Sequence, residues 1–154
     1  MVCIRLATAA DLPVLADLLG ELFAQEREFS PDRTAQMRGL VLLLERGDAV
    51  RIMVAEHESR VVGMGILHTG VSTYLGAKVG MLEDVIVTAA HRGDGIGRRL
   101  LAGIIEQARA DGLQRITLLT DHDNVAGQTF YEGFGFTRST MLPYRLMLAQ
   151  SATA

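Results

Sequence analysis

The chain has 154 residues, of which 49% are hydrophobic and 21% charged, with a formal net charge of −3. That length and hydrophobic content fit one globular domain with a single core, not a disordered chain. The acidic balance argues against nucleic acid as a partner, which demands a basic face, and a lone cysteine, Cys3, rules out an intrachain disulfide.

No apolar run approaches the ~18 residues of a membrane helix. The opening MVCIRLATAADLP is broken by Arg5 and Asp11, so it makes a poor secretion signal. A cytoplasmic domain without membrane contact is the expectation. Val2, Ile4 and Leu6 alternate as a first strand, and Thr8 to Asp11 has the spacing of a capping box. Leu12, Leu15, Leu18, Leu19, Leu22 and Phe23 then form a helical stripe that reads as core. Ser30-Pro31 predicts a cap and first turn for a second helix carrying Met37, Leu40, Val41, Leu43 and Leu44, with Gly47 past its end. Val50, Ile52 and Val54 predict a second strand, paired through a turn at His57–Arg60 with a third over Val61–His68. Gly63 and Gly65 inside that strand imply a bulge or close packing, and Gly70–Lys78 reads as a loop.

The stretch Met81–Leu101, MLEDVIVTAAHRGDGIGRRLL, organises the chain. An apolar strand through Val85, Ile86 and Val87 leads to Arg92-Gly93-Asp94-Gly95-Ile96-Gly97, and a helix with Ile96, Leu100, Leu101, Ile104, Ile105 and Ala108 on one face follows. Strand, glycine turn and helix start together make an anion cradle, because glycines let a phosphate approach the backbone and unpaired helix amides point at it. Asp111-Gly112 closes the helix, Arg115–Thr120 reads as a strand, and a short helix after Asn124 ends near Gly133 or Gly135. Tyr144, Leu146 and Leu148 suggest a last strand, and residues 151–154 a frayed tail.

The pattern Arg92-x-x-Gly95-x-Gly97 after an apolar strand resembles the acyl-CoA signature (Q/R)-x-x-G-x-(G/A) of the GNAT N-acetyltransferase superfamily. Downstream, Asn124-Val-Ala-Gly-Gln-Thr-Phe-Tyr131-Glu-Gly-Phe-Gly-Phe136 resembles the family's N-x-x-(A/G)-x-x-x-Y…G-F segment. The resemblance implies a single-domain GNAT-like α/β fold over residues 1–150, with a central mixed, mostly antiparallel sheet flanked by helices. It implies acetyl-CoA as cofactor, no metal, and transfer to an amine by direct attack in a ternary complex. Two helices would form part of the acceptor wall, making Glu21, Glu26, Glu28 and Phe29 candidates for contact, although charged helix residues are mostly solvated. His68, Ser72 and Tyr74 are further candidates.

Four tasks define acetyl transfer from a thioester: holding the pyrophosphate, polarising the carbonyl, neutralising the amine and protonating the departing thiolate. The backbone of Arg92, Gly93, Asp94, Gly95, Ile96 and Gly97 would hold the pyrophosphate, with Arg98 or Arg99 adding charge and the Asp94 side chain turned outward. By resemblance, the pantetheine arm would run along Val85, Ile86 and Val87, where a backbone N–H would polarise the carbonyl. Glu83 and Asp84 are the candidate bases. Strand alternation puts them on opposite faces, Glu83 with Val85 and Val87, Asp84 with Leu82 and Ile86. Glu83 is the first choice and Asp84 the second, each requiring a raised pKa or a water relay. Tyr131 matches the family position that protonates the thiolate, against a plain role as a core aromatic beside Phe130, Phe134 and Phe136. Asn124 matches the residue that bonds the pantetheine arm, against a plain role as a helix cap. His122 and His91 read as loop residues, without metal-ligand spacing.

A dinucleotide reading of Gly93-x-Gly95-x-Gly97 fails on the third glycine's position, and no Gly-Lys-Ser/Thr makes a Walker loop. The expected acceptor is a small-molecule amine, with a protein or peptide amine and a non-catalytic acyl-CoA sensor as alternatives. A homodimer is compatible with the resemblance.

Overall fold

A computed structural model describes residues 1–149, which form two compact units, residues 1–119 and 120–149. The expected tail at 151–154 lies outside the described residues.

In the first unit the strands are β1 (Val2–Leu6), β2 (Val50–His57), β3 (Arg60–Ser72), β4 (Ala77–Val87) and β5 (Ile116–Leu118). They pair in sequence order, antiparallel from β1 to β4, while β5 runs parallel to β4. The mixed, mostly antiparallel sheet is therefore the one expected. Its helices are α1 (Leu12–Gln25), α2 (Arg33–Leu44) and α3 (Ile96–Ala110).

The two faces of the sheet bury different helices. Leu15, Leu18 and Leu19 of α1 and Leu40 of α2 cluster with Ile52, Val54, Met64, Ile66 and Ile86. On the other face a side chain at Gly65 would meet Ile104 Cδ1 of α3 at 2.7 Å, and one at Gly103 would meet Ile4 Cγ2 at the same distance. Those two glycines let α3 lie close against the strands. Each fully buried leucine or isoleucine contributes roughly 1.5–3 kcal/mol, so both layers are held mainly by apolar burial.

Boundaries differ from the sequence reading in four places. The α2 cap is Asp32, whose carboxylate accepts from the Ala35 N–H at 3.1 Å; Ser30-Pro31 lies outside the helix. Residues 70–78 are mostly strand: β3 runs on to Ser72 and β4 begins at Ala77, because Gly70, Val71 and Ser72 find partners in Val79, Lys78 and Ala77. β5 is three residues long instead of six. Finally, residues 144–148 form no strand, and Tyr144, Leu146 and Leu148 are exposed. Alternation alone does not make a strand without a neighbour to take its hydrogen bonds. The expected capping box joins Thr8 and Asp11, with the Thr8 N–H donating to Asp11 Oδ2 at 2.7 Å.

The second unit contains α4 (Val125–Glu132), capped by Asn124, whose side-chain oxygen accepts from the Gly127 N–H at 3.1 Å. Its aromatic residues stack edge to face, Phe130 against Tyr131 and Phe134, and Tyr131 against Phe136.

Candidate active site

The site is built on a defect in β4. Between the pairs Ile66↔Glu83 and Met64↔Ile86, β3 contributes one residue, Gly65, and β4 contributes two, Asp84 and Val85. This two-against-one count is a β-bulge. Asp84 occupies its first position at φ +54°, a left-handed conformation uncommon for any residue but glycine, though less so for aspartate.

The bulge overturns the alternation expected for this strand. Cross-strand partners share a face, so Glu83 lies with Ile66 and Ile86 on the α1/α2 side. Val85 and Val87 turn to the other side, where side chains at Gly65 and Gly63 would meet their Cγ2 atoms at 3.4 and 3.2 Å. Glu83 and Asp84 are thus not divided between faces. His68 Nε2 lies 3.3 Å from Glu83 Oε2, and Asp84 feels the charges of Glu83, Glu26 and His68. Glu83 is exposed and Asp84 half-buried. Burial, reinforced by Glu83 and Glu26, raises the Asp84 pKa from 3.8 to about 6. That is the value a carboxylate needs to exchange protons near neutrality.

β4 then leaves its parallel neighbour. The β4–β5 ladder comprises only Gly80↔Ile116, Met81↔Thr117 and Leu82↔Leu118, so Glu83–Val87 have no β5 partner. The Thr88 N–H donates to the Val62 carbonyl at 2.8 Å, which fixes the phase of the β3 ladder. By antiparallel alternation the backbone of Ile86 belongs to that ladder, whereas Val85 and Val87 direct theirs to the open edge. Ile86, 5% exposed, is a core residue. It was expected to line the pantetheine path, but it is turned away from that edge.

The edge leads into the glycine turn. Gly93 and Gly95 have φ +88° and +75°, and beyond the adjoining backbone no heavy atom lies within 4 Å of where a side chain would start at either. Gly95 caps α3, whose ladder opens with the Arg99 N–H donating to the Gly95 carbonyl at 3.2 Å. Amides ahead of that bond are outside the helix ladder. Arg98 and Arg99 are exposed in the first turn, Ile96 is buried as the anchor, and Asp94 is exposed, as expected for an outward side chain. Open space over two glycines, a helix start and adjacent cations fit a pyrophosphate.

Arg92 does something else. Its Nε donates to the Val87 carbonyl at 2.9 Å and its Nη2 to Glu21 Oε1 at 3.2 Å, so the guanidinium braces the turn from behind. From the sequence Glu21 is a candidate for acceptor contact, with a solvated helix face as the plainer reading. The structure joins it to the connection after β4.

Other candidates are placed as follows. Ser72 is buried and its Oγ accepts from the Leu75 N–H at 3.1 Å, a turn-closing role, while Tyr74 is exposed. Phe29 stacks edge to face on Phe23 with ring centroids 5.5 Å apart. The His91 ring packs on His57 at 5.4 Å. In the second unit, Asn124 Nδ2 donates to Thr120 Oγ1 at 3.1 Å, besides its capping bond. His122 is exposed, with its carbonyl accepting from Gln128 Nε2 at 3.0 Å. Among the described residues no group of three or more His, Cys, Asp or Glu could hold a metal ion, and no helix is long and apolar enough to cross a membrane.

The chain is 27% identical over 135 residues to glucosamine 6-phosphate N-acetyltransferase of Trypanosoma brucei brucei, covering 86% of this chain and 87% of that one. It is 25% identical to the L-methionine sulfoximine/L-methionine sulfone acetyltransferase of Salmonella typhimurium, covering 91% and 82% of the two chains. The fold matches the crystal structure of glucosamine-6-phosphate N-acetyltransferase from Arabidopsis thaliana with a TM-score of 0.76 at 21% identity, over 95% of this chain and 98% of that one. The model of the acetyltransferase (GNAT) family matches residues 14–136. A bulged strand that parts from its neighbour, a glycine turn opening a helix and that extent of match agree: the chain belongs to the acetyltransferase (GNAT) family of acyl-CoA-dependent N-acetyltransferases.

Proposed function

We propose that the protein transfers the acetyl group of acetyl-CoA to the amine of a small molecule, by direct attack within a ternary complex. The observation that carries this reading is the path of β4: its open edge starts at Glu83, beside the carboxylates, and ends in the Gly93–Gly95 turn. One continuous edge thereby offers the backbone of Val85 and the N–H of Val87, whose carbonyl Arg92 holds, to an extended arm, and amides at the start of α3 to its phosphates. Bound acetyl-CoA supplies the activated acyl group. The chain's own residues hold it, orient the amine and move protons.

Asp84 is assigned as the proton acceptor. Its position at the head of the open edge and its raised pKa favour it over Glu83, which is exposed and engaged with His68. An acceptor entering as an ammonium gives one proton to Asp84, directly or through a water; the neutral nitrogen then forms the C–N bond at the thioester carbonyl, and as the C–S bond breaks it sheds a second proton to solvent, which balances the one the departing sulfur takes up. The proton for the departing sulfur is assigned to Tyr131, and the contact to the pantetheine arm to Asn124, both on motif position alone. A small acceptor is favoured because two relatives matched over most of their length are named for small amines, glucosamine 6-phosphate and methionine sulfoximine or sulfone. Homodimer formation is part of the proposal, supported by the exposed Met141, Leu142, Tyr144, Leu146, Met147 and Leu148, an apolar stretch unusual on a monomer surface.

The test is a calorimetric titration with acetyl-CoA, NAD and ATP in parallel, followed by a screen of small amines with thiol-release detection. Selective acetyl-CoA binding and turnover of an amine support the reading. Preference for NAD or ATP overturns it, and acetyl-CoA binding without turnover of any amine favours a sensor.

A further inference from the structure

We propose that Glu21 of α1 is a positioning residue for the cofactor cradle, acting through Arg92. The inference rests on the reading that this turn receives the pyrophosphate of acetyl-CoA. Three donors from the connection between β4 and α3 converge on the one carboxylate. The Ala89 N–H donates to Oε1 at 2.7 Å, Thr88 Oγ1 to Oε2 at 3.0 Å, and Arg92 Nη2 to Oε1 at 3.2 Å. Arg92 carries the restraint further, its Nε holding the Val87 carbonyl at the end of the open edge. The connection's first residue is tied to β3, its Thr88 N–H donating to the Val62 carbonyl at 2.8 Å, but the backbone bonds beyond it are short-range, the His91 N–H to the Thr88 carbonyl at 3.0 Å and the Arg92 N–H to the Ala89 carbonyl at 3.3 Å. They shape the turn locally but do not tie it to the body of the unit. Glu21 does.

The pair is poorly placed to serve stability. The Arg92 side chain is 46% exposed and that of Glu21 30%, and ion pairs so open to water contribute little to folding. They still fix direction. With its guanidinium held between Glu21 and Val87, Arg92 sets the heading of the backbone that enters Gly93. A turn already in its binding geometry spares the ordering cost when the ligand arrives. The same carboxylate sits four residues before the end of α1, so the helix that carries the cradle's brace also leads toward Glu26, one of the charges acting on Asp84.

The experiment compares wild type, Glu21→Gln and Glu21→Ala by acetyl-CoA titration, steady-state kinetics and thermal melting, with Arg92→Ala and the Glu21→Ala/Arg92→Ala double variant. Glu21→Ala should raise Kd and KM for acetyl-CoA about tenfold, and Glu21→Gln, which keeps an acceptor for Ala89, about threefold. The acceptor KM should stay within about twofold and melting within a few degrees. The double variant should bind clearly more tightly than the product of the two single losses predicts, the signature of residues that act through one another. Wild-type affinity in Glu21→Ala overturns the proposal. So does a parallel decline in melting, kcat and both KM values, which would mark a merely structural residue. Failure of the wild-type protein itself to bind acetyl-CoA overturns the functional reading and this inference with it, and is distinguishable because it appears before any substitution.

Discussion

Replacing Asp84 by Asn removes a charge that folding makes costly, so it should stabilise the protein while disabling it. In the folded protein the Asp84 pKa is raised from 3.8 to about 6. The folded state therefore holds a proton that the unfolded chain has released, and wild-type stability falls as pH rises through that window. Below about pH 4 both states are protonated and the variant gains nothing by this route. Above pH 6 the difference reaches its full value of about 3 kcal/mol, at 1.36 kcal/mol per pKa unit. Asparagine also tolerates the φ of +54° at this position. Urea unfolding of both proteins at intervals from pH 4 to pH 8 measures the difference directly. Over the same range kcat/KM of the wild type should rise with an apparent pKa near 6, and the variant should lose about 100-fold or more if Asp84 is the base. A variant no more stable at pH 8 than at pH 4, relative to wild type, would refute the buried-charge argument. Retained activity would refute the role.

Gly95→Val meets open space, so its cost is set by φ +75°, about 1–2 kcal/mol of backbone strain. The variant should stay folded by circular dichroism yet lose acetyl-CoA binding in calorimetry. Tyr131→Phe keeps the ring contacts to Phe130 and Phe136; kcat should fall tenfold or more, on the order of a general-acid contribution, with acetyl-CoA affinity nearly intact. At the other end of the sheet, Arg5 bonds both carboxylate oxygens of Asp11, at 2.8 and 3.0 Å, and depresses its pKa to about 2. That stabilisation is present above pH 3.8 and lost as pH falls toward 2, so Asp11→Asn should cost about 2 kcal/mol at pH 7 and almost nothing at pH 2 in denaturant melts.

What the sequence conveyed about this molecule follows from which physical signals are local. Gly93 and Gly95 announce their turn because positive φ selects glycine, and the α3 stripe announces its buried face through period alone. The bulge at Asp84 is a relation between two strands. One extra residue against Gly65 inverts the faces downstream, and no count along β4 by itself records that. Two clues were present, a charged pair interrupting an apolar strand and a glycine in the partner strand, but neither fixed the register. The role of Glu21 was illegible for a similar reason: its three donors lie 67 to 71 residues away in the chain. In contrast, the alternation of Tyr144, Leu146 and Leu148 was plain, and it predicted pairing that residues 144–148 do not make.

Asp84 concentrates two costs on one residue, and both could have been avoided. A glycine at the bulge would remove the steric penalty of the left-handed backbone, and an asparagine would remove the charge that Glu83 and Glu26 oppose. Neither change would disturb the apolar layers formed with α1, α2 and α3, because Asp84 is not among their residues. Folding therefore gives no reason for an aspartate there. The proposed proton transfer gives one: the position heads the unpaired edge of β4, and the pKa of its carboxylate is raised toward neutrality because it is half-buried beside like charges. The left-handed backbone at Asp84 is an observed outlier that points to a function, the direction in which backbone strain carries evidence. It also separates the two acidic neighbours by cost, since Glu83 is exposed and lies in ordinary strand geometry, where a carboxylate is inexpensive and so says little about why it is kept.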